Sequence, residues 1–158
     1  RFNRARMPVL WFSWPEDKHF PMEILRKSYQ ATAGPNMVSL VPQMGHGHGP
    51  AWSRPESYAF AKRVLKSGKI WCRRLDSALL DGQAYARFQS DEVLEKAELV
   101  HTTDLGFTGK RIWTRTPIRL QKKADVWLAD WPLPDGTTAW FINVESSGLV
   151  VSSDYHDG

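Results

Sequence analysis

Two groups of side chains that could do acid–base chemistry each follow an apolar run typical of a buried strand. The first group is the segment 14–19, which comes directly after the run Val9–Ser13 and contains Asp17. A carboxylate here can accept a hydrogen bond from a histidine on the loop after the next strand. We therefore predict that Asp17 is the orienting acid of a catalytic triad. The alternative is that Asp17 or Glu16 only caps the helix that follows.

The second group is the loop 44–50, which reads Met-Gly-His-Gly-His-Gly-Pro and follows the next predicted strand. Glycines on both sides of His46 let the backbone turn sharply and bring the imidazole to a cleft. An acid followed one strand later by a histidine is the chain order of triads on α/β sheets. We therefore predict His46 as the general base that pairs with Asp17, and His48 stays open as the alternative base.

Two other interpretations of these histidines stay open. The loop could be a glycine-rich surface turn in which both rings are only solvated. His46, His48 and Asp17 are also possible metal ligands, although His-x-His alone is weak evidence and no fixed motif supplies the remaining ligand. We predict no metal and no cofactor.

Two tryptophans flank these groups. Trp14 follows the first strand, and Trp52 follows the histidine loop. We predict that Trp14, Trp52 and His48 line a substrate cleft. For Trp52 the alternative is that its ring only covers the next helix.

The elements that must position these groups alternate between strand and helix over residues 8–65. The predicted elements are a strand at 9–13, a helix at 22–29, a strand at 36–41, a loop at 45–50 and a helix at 55–65. The last helix is expected to pack on the sheet through a face with Tyr58, Ala61 and Leu65, with Phe60 and Val64 beside them. Such alternation is typical of an α/β sheet. Because two strands alone leave unpaired edges, and because a buried-type strand begins so soon after Arg1, we expect that part of the layer is missing.

The pattern changes after about residue 68. Short segments rich in Val, Thr and aromatic residues alternate with turn signals, at 83–89, 96–103, 111–119, 124–129, 138–144 and 148–153. This spacing predicts a small Ig-like β-sandwich over residues 69–158. Of its tryptophans, Trp113, Trp127 and Trp140 are predicted to be packing residues, and Trp131 is the best candidate for an exposed ring.

Composition limits the function classes. The chain has 158 residues, 42% of them hydrophobic, and a formal charge of +4 that is spread along the chain among acidic residues. We therefore predict no nucleic-acid partner. No apolar run is long enough to predict a membrane span. The single Cys72 excludes an internal disulfide, and the compartment stays open, with a secreted or periplasmic location compatible with the sequence.

Residues 8 to about 65 resemble the C-terminal part of the acetyl xylan esterase and dienelactone hydrolase-like branch of the α/β-hydrolases. The residues that carry the resemblance are Pro8-Val9-Leu10-Trp11, Asp17, His19-Phe20-Pro21, Ser28-Tyr29, the run from Met44 to Trp52, and the run from Pro55 to Ala61. The resemblance implies that Asp17 orients His46, and that His46 takes the proton from a serine. It also implies a small ester or an acylated carbohydrate as substrate. The β-rich remainder is similar to the sandwich appended to some relatives.

The sequence departs from this family in one large respect. No Gly-x-Ser-x-Gly occurs in the chain, and Ser13 ends the same strand that leads to Asp17, so we predict that it is a strand-end residue and not the nucleophile. The predicted fold is α/β plus all-β, with a partial α/β-hydrolase layer (strand-helix-strand-helix) over 1–68 and the sandwich over 69–158.

The predicted function is that of a C-terminal piece of a serine carboxylic-ester hydrolase, inactive by itself. Its expected partner is the missing N-terminal half or a second copy of the chain. The alternative is a non-catalytic module that binds carbohydrate or protein.

Overall fold

A computed structural model of the chain describes residues 2–158. The expectation that part of the layer is missing ahead of Arg1 lies outside the described residues. The helices are α1 (Met22–Gln30), α2 (His48–Ser53) and α3 (Glu56–Ser67). The strands are β1 (Val9–Ser13), β2 (Asn36–Leu40), β3 (Cys72–Leu80), β4 (Gln83–Ser90), β5 (Lys96–Thr102), β6 (Thr114–Pro117), β7 (Arg119–Lys123), β8 (Val126–Pro132), β9 (Ala139–Ser146), β10 (Leu149–Ser152) and β11 (His156–Asp157). Short 3₁₀ turns lie at Phe2–Arg4 and Thr108–Lys110.

The strands form three sheets. β1 and β2 pair in parallel, with Val9 opposite Asn36 and Ser13 opposite Leu40. An antiparallel sheet has the order β10-β9-β5-β6, with β11 also on β9, and a second antiparallel sheet has the order β3-β4-β8-β7. The larger core cluster combines residues of both antiparallel sheets, including Phe88, Leu99 and Ile142. Alternating side chains of the two sheets therefore enclose one apolar interior.

The predicted fold class, α/β plus all-β with a partial α/β-hydrolase layer, is wrong. Strands take up 41% of the chain, and helical residues, with the two 3₁₀ turns included, take up 21%. The three sheets make a β-rich fold. Among residues 2–158, β1 and β2 pair only with each other. Their side chains do not build a separate layer, because those of β2 enter both core clusters together with residues of the antiparallel strands. The strand–helix–strand unit is thus an attachment to a β-rich body.

Two core clusters cross the predicted boundary at residue 68. Met37 of β2 belongs to the larger cluster with the two antiparallel sheets. The second cluster consists of Met22, Tyr29, Val38 and Leu40 together with Val100, Trp113, Ala139, Phe141 and Tyr155. The division into domains 1–68 and 69–158 stays a prediction, and apolar packing is continuous across it.

Buried hydrogen bonds also join the two parts. The Leu40 amide donates to Ser152 Oγ at 2.8 Å, and Asn143 Nδ2 donates to the Leu40 carbonyl at 2.9 Å. The Tyr155 amide donates to the Tyr29 hydroxyl oxygen at 2.9 Å. Because these groups are buried, each bond also removes the cost of an unpaired polar atom. The end of β2, where the histidine loop begins, is therefore held by β9 and β10.

The structure differs from the local predictions at three places. The helix α3 packs through Glu56, Ala59 and Phe60, whereas Tyr58 and Leu65 are 61% and 87% exposed. The segment 111–119 is not one strand, because Thr114–Pro117 pairs with β5 and Arg119–Lys123 pairs with β8 in the other sheet. The strand Cys72–Leu80 is not among the predicted segments.

The predictions for the tryptophans of the β-rich part are confirmed. Trp113, Trp127 and Trp140 are at most 9% exposed, and Trp131 is 38% exposed. The Cys72 side chain is buried, and burial raises the pKa of its thiol to about 12, so this thiol is protonated at neutral pH. None of the helices in residues 2–158 is long and apolar enough to cross a membrane.

Candidate active site

Asp17 and His46, the predicted acid and base, lie in contact. Asp17 Oδ2 is 3.0 Å from His46 Nδ1, although 29 positions separate the residues in sequence. The two loops meet because β1 and β2 are parallel neighbours, which places the residues that follow each strand at the same edge. The geometry matches the acid–histidine half of a triad.

Two backbone amides fix the other oxygen of Asp17. Oδ1 accepts hydrogen bonds from the amide of His19 at 2.7 Å and from that of Phe20 at 3.1 Å. Both amides precede α1, whose first residue is Met22, so Asp17 closes a tight turn and does not cap the helix. The carboxylate therefore has one oxygen held by the backbone and one oxygen directed to His46.

The electrostatics favour an ionised Asp17. Burial raises the pKa of this carboxyl, but the His19 amide, the His46 ring and the Phe20 amide together outweigh burial and hold the pKa below its usual range. An ionised carboxylate can only accept hydrogen bonds, so the proton between the two groups belongs to His46 Nδ1. In the neutral ring, Nε2 then carries a lone pair and can accept a proton.

The backbone around His46 depends on glycine. Gly45 and Gly47 have φ angles of 88° and 111°, which L side chains rarely adopt. The His46 side chain is 46% exposed, and its ring lies 4.5 Å from the His19 ring and 6.1 Å from the Phe20 ring. Among residues 2–158, no side chain forms a hydrogen bond with Nε2. The His46 ring is thus held through Nδ1, and almost half of the side chain is exposed.

Of the other predicted site residues, Trp14 contacts Asp17, whereas His48 and Trp52 contact each other. His48 is the first residue of α2 and is exposed, and its ring stacks on Trp52 at 5.1 Å. Trp52 is 66% exposed, so it does not cover α3. Trp14 is half-buried, and its carbonyl accepts a hydrogen bond from the Asp17 amide at 3.3 Å. His48 therefore does not join Asp17 and His46, and no group of three or more His, Cys, Asp or Glu residues within 2–158 is arranged to hold a metal ion.

A loop from the second half of the chain supports the acid, and the sequence analysis missed it. Thr108 Oγ1 accepts a hydrogen bond from the Met22 amide at 3.1 Å, which caps α1 from a position 86 residues away. Gly109 packs so closely on the turn that a Cβ there would lie 2.6 Å from the Asp17 carbonyl oxygen. The only sequence signals were two glycines and a threonine in a segment with no apolar periodicity. An ordinary turn has the same pattern, so these signals do not identify a supporting loop.

The buried Arg111 holds this loop in place. Its guanidinium donates to the Gly106 carbonyl through Nε at 2.9 Å and Nη2 at 2.6 Å. Nη1 lies 3.3 Å from Asp157 Oδ1, and Nη2 lies 3.8 Å from Glu23 Oε1. Because Glu23 is in α1 and Asp157 is in β11, the arginine connects the loop to both parts of the chain. The turn that carries Asp17 therefore rests on a rigid support.

A scan against models of protein families gives no match, and a search of curated proteins gives no match.

Proposed function

We propose that this chain supplies the acid and the base of a serine carboxylic-ester hydrolase, and that the serine comes from outside these 158 residues. The observation that carries the proposal is the 3.0 Å contact between Asp17 Oδ2 and His46 Nδ1, with His46 Nε2 left open. An upstream segment of the same polypeptide or another chain presents the serine. The resemblance over residues 8–65 supports a small ester or an acylated carbohydrate as substrate.

In this proposal the proton moves through His46 twice. Nε2 takes the proton from the serine hydroxyl while the serine oxygen attacks the ester carbonyl carbon, and the ionised Asp17 stabilises the imidazolium that forms. The imidazolium then gives the proton to the leaving alcohol as the carbon–oxygen ester bond breaks. Water attacks the acyl-serine in the same way and releases the acid. Asp17 stays ionised throughout, which agrees with its lowered pKa.

The geometry favours His46 over His48 as the base. His46 contacts the acid through Nδ1, whereas the ring of His48 stacks on exposed Trp52 and forms no hydrogen bond with Asp17. A ring without a carboxylate partner has neither a fixed tautomer nor a stabilised cation. His48 is therefore the matched control for every test of His46.

A fluorophosphonate probe tests the proposal, because such reagents label serines that a neighbouring base activates. We expect the polypeptide that contains this chain and its serine to be labelled at one serine outside the 158 residues. His46→Gln should abolish the labelling, and His48→Gln should leave it intact. Labelling that is absent from the unsubstituted protein, or that survives His46→Gln, would contradict the proposal.

The second candidate function is a binding module without catalysis. Trp131 on β8 favours it, because its ring is 38% exposed while the other four tryptophans of residues 69–158 are at most 9% exposed. An exposed indole can stack on a sugar ring, but one ring alone is a small platform. If no serine is labelled, and xylan-type oligosaccharides change the tryptophan fluorescence saturably, then carbohydrate binding without catalysis is the better account of the function.

A further inference from the structure

A cavity lies at the opposite end of β2 from the histidine loop. Its volume is about 790 Å³, which is within the range of small-molecule sites. Asn36, the first residue of β2, lines it, whereas His46 follows the last residue of that strand. The end of α1 and the start of β3 form much of the remaining wall. The cavity is therefore separate from Asp17 and His46.

Cations outnumber the available anions along this wall. Lys69, Arg73 and Arg74 line the cavity together with Asp91 and Asp154. Asp91 pairs with Arg63, and Asp154 Oδ1 accepts from Arg74 Nε at 2.9 Å. Neither Lys69 nor Arg73 has an acidic partner within residues 2–158. Two positive charges at the wall are thus left without compensation.

The side chain of Arg74 is held in a fixed position. Its guanidinium carbon lies 4.8 Å from the centre of the Tyr29 ring, and its side chain is 15% exposed. A guanidinium that stacks on an aromatic ring and pairs with a carboxylate loses little freedom when it binds a further anion. Arg74 is thus a preorganised cation beside the two uncompensated ones.

Two donors at the wall lack hydrogen-bond partners. Trp71 Nε1 and Arg74 Nη1 are buried without a partner among residues 2–158, and Trp71 as a whole is 3% exposed. A buried donor without a partner is costly, so an oxygen atom that accepts from either donor recovers part of that cost. Trp71 and Arg74 both line the cavity. The uncompensated charges of Lys69 and Arg73 beside the fixed Arg74 favour an oxygen-rich anion as the ligand.

We propose that this cavity binds a small anionic molecule through a phosphate or carboxylate group. Lys69 and Arg73 attract the anion and Arg74 orients it, while Trp71 lines the same cavity and its indole N–H reports on binding. Apolar side chains of Ile70 and Leu75 are also part of the wall, and they leave room for an apolar part of the ligand. The proposal does not depend on the hydrolase function, because none of these residues belongs to the Asp17–His46 site.

Titration of the ¹⁵N-labelled chain with phenyl phosphate tests this site, and phenol is the neutral control. We expect a saturable shift of the Trp71 indole N–H signal with phenyl phosphate and none with phenol. Lys69→Gln and Arg73→Gln should each weaken binding by about threefold at low salt, since exposed charges contribute modestly. Both side chains are exposed, so the variants should fold normally.

Lys123→Gln is the matched control for the charge change. Lys123 is exposed on β7, which is at the far edge of the sheet that begins with β3. This variant should bind as the unsubstituted chain does. The proposal is overturned if the Trp71 signal does not move at about 50 mM phenyl phosphate, which corresponds to negligible affinity. It is also overturned if phenol moves the signal equally, or if Lys123→Gln weakens binding as much as Lys69→Gln.

Discussion

His46→Gln is expected to lower kcat for an activated ester such as p-nitrophenyl acetate by about 10⁶-fold in the polypeptide that holds both this chain and the serine. Glutamine keeps a side chain of similar polarity but cannot take a proton, so the serine hydroxyl is no longer activated. The measurement is steady-state hydrolysis in the full polypeptide. Loss of kcat without a matching change in KM would show that His46 acts on the reaction and not on substrate binding.

Asp17→Asn should lower kcat by about 10⁴-fold, because the amide keeps the shape of the side chain but disfavours the productive tautomer of the histidine. The double variant should be little worse than His46→Gln alone, since the two residues act as a unit. His48→Gln should keep turnover within about threefold, because no contact links His48 to the acid. Turnover that survives His46→Gln and falls with His48→Gln would reverse the assignment of the base.

Gly109→Ala is expected to destabilise the chain by about 3 kcal/mol, at the upper end of the usual overpacking cost. The new Cβ would lie 2.6 Å from the Asp17 carbonyl oxygen and 2.8 Å from Phe107 Cε1. The Phe107 side chain is 41% exposed and can rotate away, so the backbone carbonyl is the decisive obstacle. Urea unfolding followed by tryptophan fluorescence measures the change, and the amide signals of His19 and Phe20 report whether the Asp17 turn has moved.

Gly49→Ala is the matched control for that prediction. Gly49 lies in α2, next to the histidine loop, and a Cβ there meets no atom within 4 Å. Alanine is a better helix residue than glycine by up to about 1 kcal/mol, so this variant should be neutral or slightly more stable. Equal stability of the two variants, with unmoved His19 and Phe20 amides in Gly109→Ala, would show that the loop does not support the acid.

The contact between acid and histidine could be predicted from the sequence because its causes are local. Apolar runs at 9–13 and 36–40 identify the strands, and a helix between them makes a parallel pair that brings both following loops to one edge. The glycines at 45 and 47 identify where the backbone needs unusual φ angles. These signals were sufficient to predict the contact between the loops of Asp17 and His46. The distances in the structure were needed to show which of His46 and His48 makes that contact.

The fold class and the supporting loop could not be predicted, because they depend on contacts between distant segments. A run such as Asn36–Leu40 has the same apolar pattern whether its neighbours are helices of an α/β layer or strands of a β-rich body. The hydrogen bonds of Leu40 to Ser152 and Asn143, more than 100 positions away, have no sequence signature. The same is true of Thr108, whose hydroxyl caps a helix in the other part of the chain.

The tautomer of His46 in the ¹⁵N-labelled 158-residue chain tests the central claim most directly, because only an orienting Asp17 requires the ring proton on Nδ1. Nitrogen NMR at mildly alkaline pH distinguishes the protonated ring nitrogen from the unprotonated one. We predict that His46 carries its proton on Nδ1, that Asp17→Asn moves it to Nε2, and that the spectrum of His48 does not change. A His46 ring with its proton on Nε2 in the unsubstituted chain, or a tautomer that does not respond to Asp17→Asn, would contradict the assignment of Asp17 and His46 as acid and base.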